Sequence, residues 1–240
     1  MTAERSPKIT ANDLRPVHAI SGYAEVVDHI RREISLGRLL PGDRLPAERK
    51  LAEALGVARE TLRQAFRVLE GSGQIVIVRG TAGGAVIQDT SVAPEIAMHE
   101  LRQRRDSLFS LAEYRGEIET VAARLSASRR SEEDLEQMRS AQEALRVSAN
   151  KDEARRADTA FHLAIARAAG NSHLSSAIED ARASMFHPVD LAAFDFVKES
   201  SHPQHQLILE EIARGDGEAA AAAMRQHIDS TRAEMLKLID

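Results

Sequence analysis

Leu45-Pro-Ala-Glu-Arg-Lys-Leu-Ala52, then Leu55-Gly-Val-Ala-Arg-Glu-Thr-Leu-Arg63, then Leu69-Glu-Gly-Ser-Gly73 decide the first half of the fold. Pro46 opens a short helix with Leu51, Ala52 and Leu55 on its inner face, and Gly56 ends it. After a short break, Arg59 to Glu70 predicts a second helix with Leu62, Ala65, Phe66 and Leu69 inward, stopped by Gly71 and Gly73. Upstream, Val26, Val27, Ile30 and Ile34 recur at helical spacing before Gly37, and Pro41-Gly42-Asp43 signals a turn. Downstream, Gln74-Ile-Val-Ile-Val78 is β-branched and too short for a helix. Gly80-Thr-Ala-Gly-Gly84 reads as a loop and Ala85-Val-Ile87 as a returning strand, so the pair predicts a hairpin. Helix, helix, tight turn, helix, hairpin is the order of a winged helix-turn-helix.

The polar residues suit that order. Arg59 and Arg63 stand at i and i+4 away from the apolar stripe, with Gln64 and Arg67 nearby. A helix fits the major groove, where arginine bonds bidentately to guanine. Arg49 sits where the preceding helix meets a phosphate, and Arg79 and Gly80 lie at the root of the wing. The bland alternative is a solvated basic helix beside a structural hairpin. Six Phe, two Tyr and no Trp give few stacking platforms, which disfavours single-stranded nucleic acid.

These motifs, with Arg79-Gly80, resemble the GntR family of bacterial transcription regulators over residues 23–88. The resemblance implies that Arg49, Arg59, Thr61, Arg63 and Gly80 contact double-stranded operator DNA. Two departures stand out. Ala58 replaces the family's usual Ser or Thr, and Glu60 puts a carboxylate at the reading end, where it accepts from cytosine or pairs with Arg63 or Arg49.

Composition sets the outer bounds. The chain has 240 residues, 43% hydrophobic and 29% charged, enough for two modest domains. No cysteine is present, which excludes disulfides and thiolate chemistry. The longest apolar run, Ala219 to Met224, falls far short of the roughly 20 residues of a membrane span. With no signal-like segment at the start, a cytoplasmic location and no membrane partner are expected. Residues 1–90 hold 13 Lys and Arg against 11 Asp and Glu, net +2; the remaining 19 against 26 leave residues 91–240 at −7. The asymmetry suits two modules with different partners.

The expected division is a flexible arm at 1–20, the winged helix-turn-helix at 21–88, a linker at 89–96 and an all-α bundle at 97–240. The fold class is therefore α-dominated, with a small β-hairpin wing. Helices are predicted near 95–104, 108–128, 132–148, 151–169, 173–186, 190–198, 203–214 and 217–238, with a break at Ser200 to Pro203.

Within the bundle, Asp158 and His162 lie about 40° apart on one helix face, among Phe161, Ile165, Ala168 and Ala169. His205 shares its face with Ile208, Leu209 and Ile212, and His227 with Ala220, Ala223, Met224 and Thr231. Each imidazole alone reads as a hydrogen-bonded core residue; four such groups together read as a metal site. A buried carboxylate is costly unpaired, so a cation or donor is expected beside Asp158. No further carboxylate or histidine is expected near the four as a general base.

Arg115-Gly-Glu-Ile-Glu119, Asp158-Thr-Ala-Phe-His162, Ala169-Gly-Asn171, the stretch from His205 to Asp216, and Met224-Arg-Gln-His227 resemble the effector-binding (FCD) domain of the FadR subfamily over 97–237. The resemblance implies a divalent cation on Asp158, His162, His205 and His227. Three imidazoles and a carboxylate suit Zn, Ni, Mn or Fe alike. Arg115, on an inner face with Leu111, Ile118 and Ala122, either clamps an effector carboxylate or pairs with Glu119 at i+4. Asn171 either contacts the effector or caps a helix. The expected function is a ligand-responsive regulator and not an enzyme: a homodimeric repressor of a palindromic operator, responding to a small organic or sugar acid. The alternatives are a metal-dependent enzyme and a constitutive DNA-binding protein with a structural metal.

Overall fold

In the computed structural model, which describes residues 22–80, 84–90, 94–185 and 191–239, α1 (Gly22–Ser35) buries Val26, Val27 and Ile30. They face α2 (Glu48–Ala54) and α3 (Arg59–Gly71) in a small core with Leu45, Ala52, Leu62, Ala65, Phe66 and Leu69. Glycines set the turns. Gly56 (φ +66°) lets the Val57 amide reach back to the Ala52 carbonyl, and Gly73 (φ +72°) lets Gln74 reach Leu69, both at helix ends. The wing is an antiparallel pair, β1 (Ile75–Val78) with β2 (Gly84–Ile87), in the register Ile75↔Ile87 and Val78↔Gly84. Ile75, Ala85 and Ile87 turn into the core. Residues 43–45 bond to the other edge of β2, through Leu45 to Ala85 and Ile87 to Asp43.

Everything after β2 is helical among the described residues: α4 (Pro94–Gln103), α5 (Arg105–Arg129), α6 (Glu132–Val147), α7 (Lys151–Ala168), α8 (Ser172–Met185), α9 (Leu191–Arg214) and α10 (Gly217–Ile239). Ser131 and Asp134 form a reciprocal capping box on α6, and Asn150 caps α7. The inner faces of α5 to α10 meet in one core that includes Met138, Phe161, Ile165, Ile178, Ile208, Ile212, Met224 and Ile228.

The expected break at Ser200 to Pro203 is corrected: α9 runs unbroken through Pro203. A proline removes one amide bond and crowds the preceding turn, at a cost of about 3 kcal/mol in an isolated helix. Here the helix carries buried Ser201, His205, Ile208, Leu209 and Ile212 on both flanks of the proline's turn, and that packing outweighs the lost bond. The arm at 1–20, linker residues 91–93, and His187-Pro188 lie outside the described residues.

The two halves touch. Gly37 (φ +70°) brings the chain after α1 against α7, where Arg156 Nε donates to the Gly37 carbonyl at 2.7 Å. A side chain at Gly37 would stand 3.1 Å from the Arg156 Cα, so the approach requires glycine. Beside it, Arg32 and Arg38 reach Asp180 and Glu179 of α8, the latter pair at 2.6 Å.

Candidate metal centre and nucleic-acid interface

α7 contributes Asp158 and His162 one turn apart, α9 contributes His205 and α10 His227, and all four side chains are buried. One ligand atom from each lies within 4.8 Å of the other three. His205 Nε2 is 3.3 Å from His227 Nε2 and 3.5 Å from Asp158 Oδ1; His162 Nε2 is 3.9 Å from the same oxygen. Ligands 2.0–2.1 Å from a shared ion stand about 3.0–3.4 Å apart, depending on geometry. The His205–His227 separation falls in that range and His205–Asp158 just above it, and His162 must draw in for all four to share one ion.

The outer nitrogens fix which atoms face inward. His162 Nδ1 meets Glu119 Oε2, and His227 Nδ1 meets Gln204 Oε1 at 2.7 Å. Both partners are acceptors, so each Nδ1 carries the proton and each Nε2 presents a lone pair. His162 Nε2 is buried and has no hydrogen-bond partner. A buried unsatisfied nitrogen is costly, and a bare imidazole lone pair beside three other ligand atoms is placed to donate to a cation. The residues fit a divalent ion. Phe161 stacks on the His205 ring at 4.3 Å and closes the apolar side.

Around this cluster stand charges that sequence reasoning placed only in part. The cation expected beside Asp158 is Arg182 of α8, fully buried and donating to Asp158 Oδ2. Burial alone would raise the Asp158 carboxyl, but Arg182, aided by the three imidazoles, holds it below the ordinary carboxylate range. Burial, the largest cause, lowers all three histidines: His205 to about 3, and His162 and His227 well below the usual imidazole value. Arg115 is buried and its Nε donates to Glu119 Oε1 at 2.6 Å. Glu119 thus joins Arg115 to His162. The expectation of no further carboxylate near the four is corrected: Glu119 is there, bound by both neighbours.

Signals for the missed residues existed. Arg182 follows Ile178 at i+4 on the face that carries Ala181, and Glu119 follows Arg115 at i+4. Gln204 precedes His205 and carried no comparable signal. Asn171 is exposed, and its Oδ1 accepts from the Leu174 amide at the start of α8, a capping bond.

On the other domain, Arg49, Arg59 and Arg63 project from α2 and α3 with side chains 72%, 57% and 46% exposed. Glu48 receives Arg63 Nε at 3.0 Å and stands 3.8 Å from Arg59. Glu60 lies 3.4 Å from Arg67 and 4.0 Å from Arg63. Ala58 leaves the start of α3 without a side-chain cap. Thr61 is half-buried, with its methyl toward Gly22 of α1. Arg79 and Gly80 (φ +110°) are exposed at the wing root.

Residues 22–84 match the bacterial regulatory proteins of the gntR family, and residues 110–230 match the FCD domain. An Escherichia coli protein named for regulation of the L-lactate dehydrogenase operon is 33% identical over 228 residues, covering 88% of this chain and 85% of its own length. The Uxu operon transcriptional regulator of Escherichia coli is 30% identical, covering 90% and 87%. The HTH-type transcriptional regulator LutR of Bacillus subtilis is 28% identical, covering 81% and 92%. Among solved structures, Escherichia coli McbR/YncC superposes with a TM-score of 0.56 at 18% identity, over 92% of this chain and all of that one, and shows the shared fold. All three relatives are named as regulators of transcription or of an operon.

Proposed function

Because this chain belongs to the GntR family of bacterial regulators, with an FCD domain behind its winged helix, we propose that it is a metal-dependent repressor released or engaged by a small carboxylate. We place its DNA-binding domain at 21–88, a linker at 89–96 and the sensor domain at 97–240. The observation that carries the metal is the convergence of three imidazole Nε2 atoms and Asp158 Oδ1, with two outer nitrogens held by Glu119 and Gln204. Asp158, His162, His205 and His227 would hold the ion, which would supply a Lewis-acidic anchor for a carboxylate oxygen. Arg115 offers a guanidinium beside it for bidentate binding. A relative named for the L-lactate dehydrogenase operon supports a small carboxylic acid as effector.

Arg59, Arg63, Arg49, Arg79, Glu60, Thr61 and Gly80 form the proposed operator surface. The exposed guanidiniums of α3 exchange Glu48 for bases and phosphates. In a homodimer on a palindromic site the two α3 helices stand about 34 Å apart. α8 is the mechanical link: Arg182 points inward to Asp158, while Glu179 and Asp180 point outward to Arg38 and Arg32 of the DNA-binding domain. An effector that moves Arg182 therefore moves the helix on which the domain contact rests.

The test is fluorescence anisotropy on the DNA upstream of the protein's own gene, with zinc-loaded protein and added organic acids. The expected result is DNA binding that one acid changes about 5–150-fold, the usual range of allosteric coupling. His162→Ala should bind DNA with unchanged affinity and lose the response. A response that survives in His162→Ala contradicts the metal-dependent reading.

A further inference from the structure

The three imidazoles of the cluster are not held alike. His162 and His227 each have an outer nitrogen bound to an oxygen, of Glu119 and Gln204 respectively. His205 Nδ1 is buried and has no hydrogen-bond partner among the described residues. A ligating imidazole ordinarily takes its orientation from such an outer hydrogen bond. The His205 ring is placed instead by its stack on Phe161 and by the backbone of α9 that carries it. Gln204, which orients His227, sits on the same turn of that helix.

That turn is where α9 is locally weakest. Pro203 has no amide hydrogen to give the Glu199 carbonyl, and its ring disfavours the helical conformation of His202, the residue before it. The direction of the His202 carbonyl follows the torsion that the proline disturbs, and the placement of Gln204 and His205 follows from that torsion. α6 supplies the restraint. Gln142, only 4% exposed, donates from Nε2 to the His202 carbonyl at 2.7 Å. A carbonyl has two lone pairs and accepts this bond beside a helical one. The same carbonyl dictates which way the amide lies, because the flipped amide would set oxygen against oxygen.

Gln142 makes this bond at a cost to its own satisfaction. Its Oε1 is buried and has no partner among the described residues, and a buried acceptor without a donor destabilises a fold. The face it shares is otherwise built from Leu135, Met138, Ala141 and Leu145, where methionine would fill the same space without that penalty. A polar residue kept where an apolar one fits better points to a functional constraint. We propose that Gln142 is a positioning residue of the metal centre: by fixing the peptide before Pro203, it sets where Gln204 and His205 stand. The inference rests on the metal reading above and adds to it a residue that acts on the ion only through α9.

The experiment is a zinc titration of tag-free, full-length protein in competition with a chromophoric chelator, paired with urea unfolding of the metal-free form. Wild type is compared with Gln142→Met, Pro203→Ala and the double variant. Gln142→Met should weaken zinc binding about 10–100-fold, the range for loss of a group that orients a metal ligand, and leave the urea midpoint unchanged or higher. In the Pro203→Ala background, where the helix regains its amide, the same change should cost less than about threefold. Zinc binding by Gln142→Met as tight as that of the wild type overturns the inference and leaves the metal reading intact. An equal loss in both backgrounds shows that the proline turn is not what Gln142 controls, and overturns it as well. A lowered urea midpoint, or failure of Gln142→Met to fold, makes the residue structural and has the same consequence. A wild type that binds no zinc removes the metal reading and this inference together, whatever the variants do.

Discussion

The two domains use arginine in opposite ways. On α3, Arg59 and Arg63 are about half exposed and lean on Glu48. In the bundle, Arg115 and Arg182 are 3% and 0% exposed, and each is tied to a carboxylate that in turn meets a histidine. An exposed pair is screened by water and contributes about 0–1 kcal/mol, so either partner is free to exchange for a phosphate or a base. A buried pair is held together by the cost of separating it. The first arrangement suits a surface that meets DNA, and the second suits a site that responds only when an ion or ligand substitutes for a partner.

The largest effect that would sharpen this contrast is in the bundle. Asp158→Ala leaves Arg182 buried without its carboxylate and should cost about 3–5 kcal/mol in urea unfolding of the metal-free protein. A loss below 1 kcal/mol would place Arg182 in water and break the comparison. Next is acid. The folded imidazoles have lowered pKa values, so the unfolded chain takes up protons first as pH falls through about 6.5. Stability of the metal-free protein is therefore fully present above that value. It should fall by about 1.4 kcal/mol per pH unit for each histidine below it, continuing toward about 3 for His205. Denaturation curves at a series of pH values from 7.5 to 5 check the slope; a flat series would show the histidines already charged or exposed.

On the DNA-binding side the effects are smaller and change affinity without changing the fold. Arg63→Ala should weaken operator binding by about 1–3 kcal/mol while unfolding shifts by less than about 0.5 kcal/mol. The two quantities come from anisotropy and thermal melts of the same sample. Smallest of all, Glu48→Gln should change stability by under about 1 kcal/mol and strengthen DNA binding a few-fold at low salt, because Arg59 and Arg63 lose their competing carboxylate. Weaker binding in that variant would mean that Glu48 positions the arginines for DNA instead of competing for them.

What could be read from sequence follows the same division. The winged helix was legible because its signals are local: Gly56 and Gly73 end helices by their own backbone conformations, and the stripe from Leu62 to Leu69 has helical spacing. The four candidate ligands were legible because each is a polar residue on an otherwise apolar helix face, and the family resemblance joined them. The break expected at Pro203 was not there, since proline's local penalty says nothing of the packing on its helix. Glu48 was missed because its partners lie on the next helix, and Gln204 because an amide beside a histidine is unremarkable until the fold turns it toward His227. Arg182 needed both kinds of information. The cost of burying Asp158 required a cation, but only the packing of α8 on α7 shows which one.

The central claim is that the bundle holds an ion on Asp158, His162, His205 and His227, and elemental analysis of tag-free protein tests it most directly. Wild type, supplied with divalent ions and then freed of excess, is compared with His162→Ala and His205→Ala. The account predicts about one ion per chain in the wild type and loss in both variants, as expected of a site with four protein ligands. A wild type that retains no ion would contradict it, and the buried Nε2 of His162 would then need another partner.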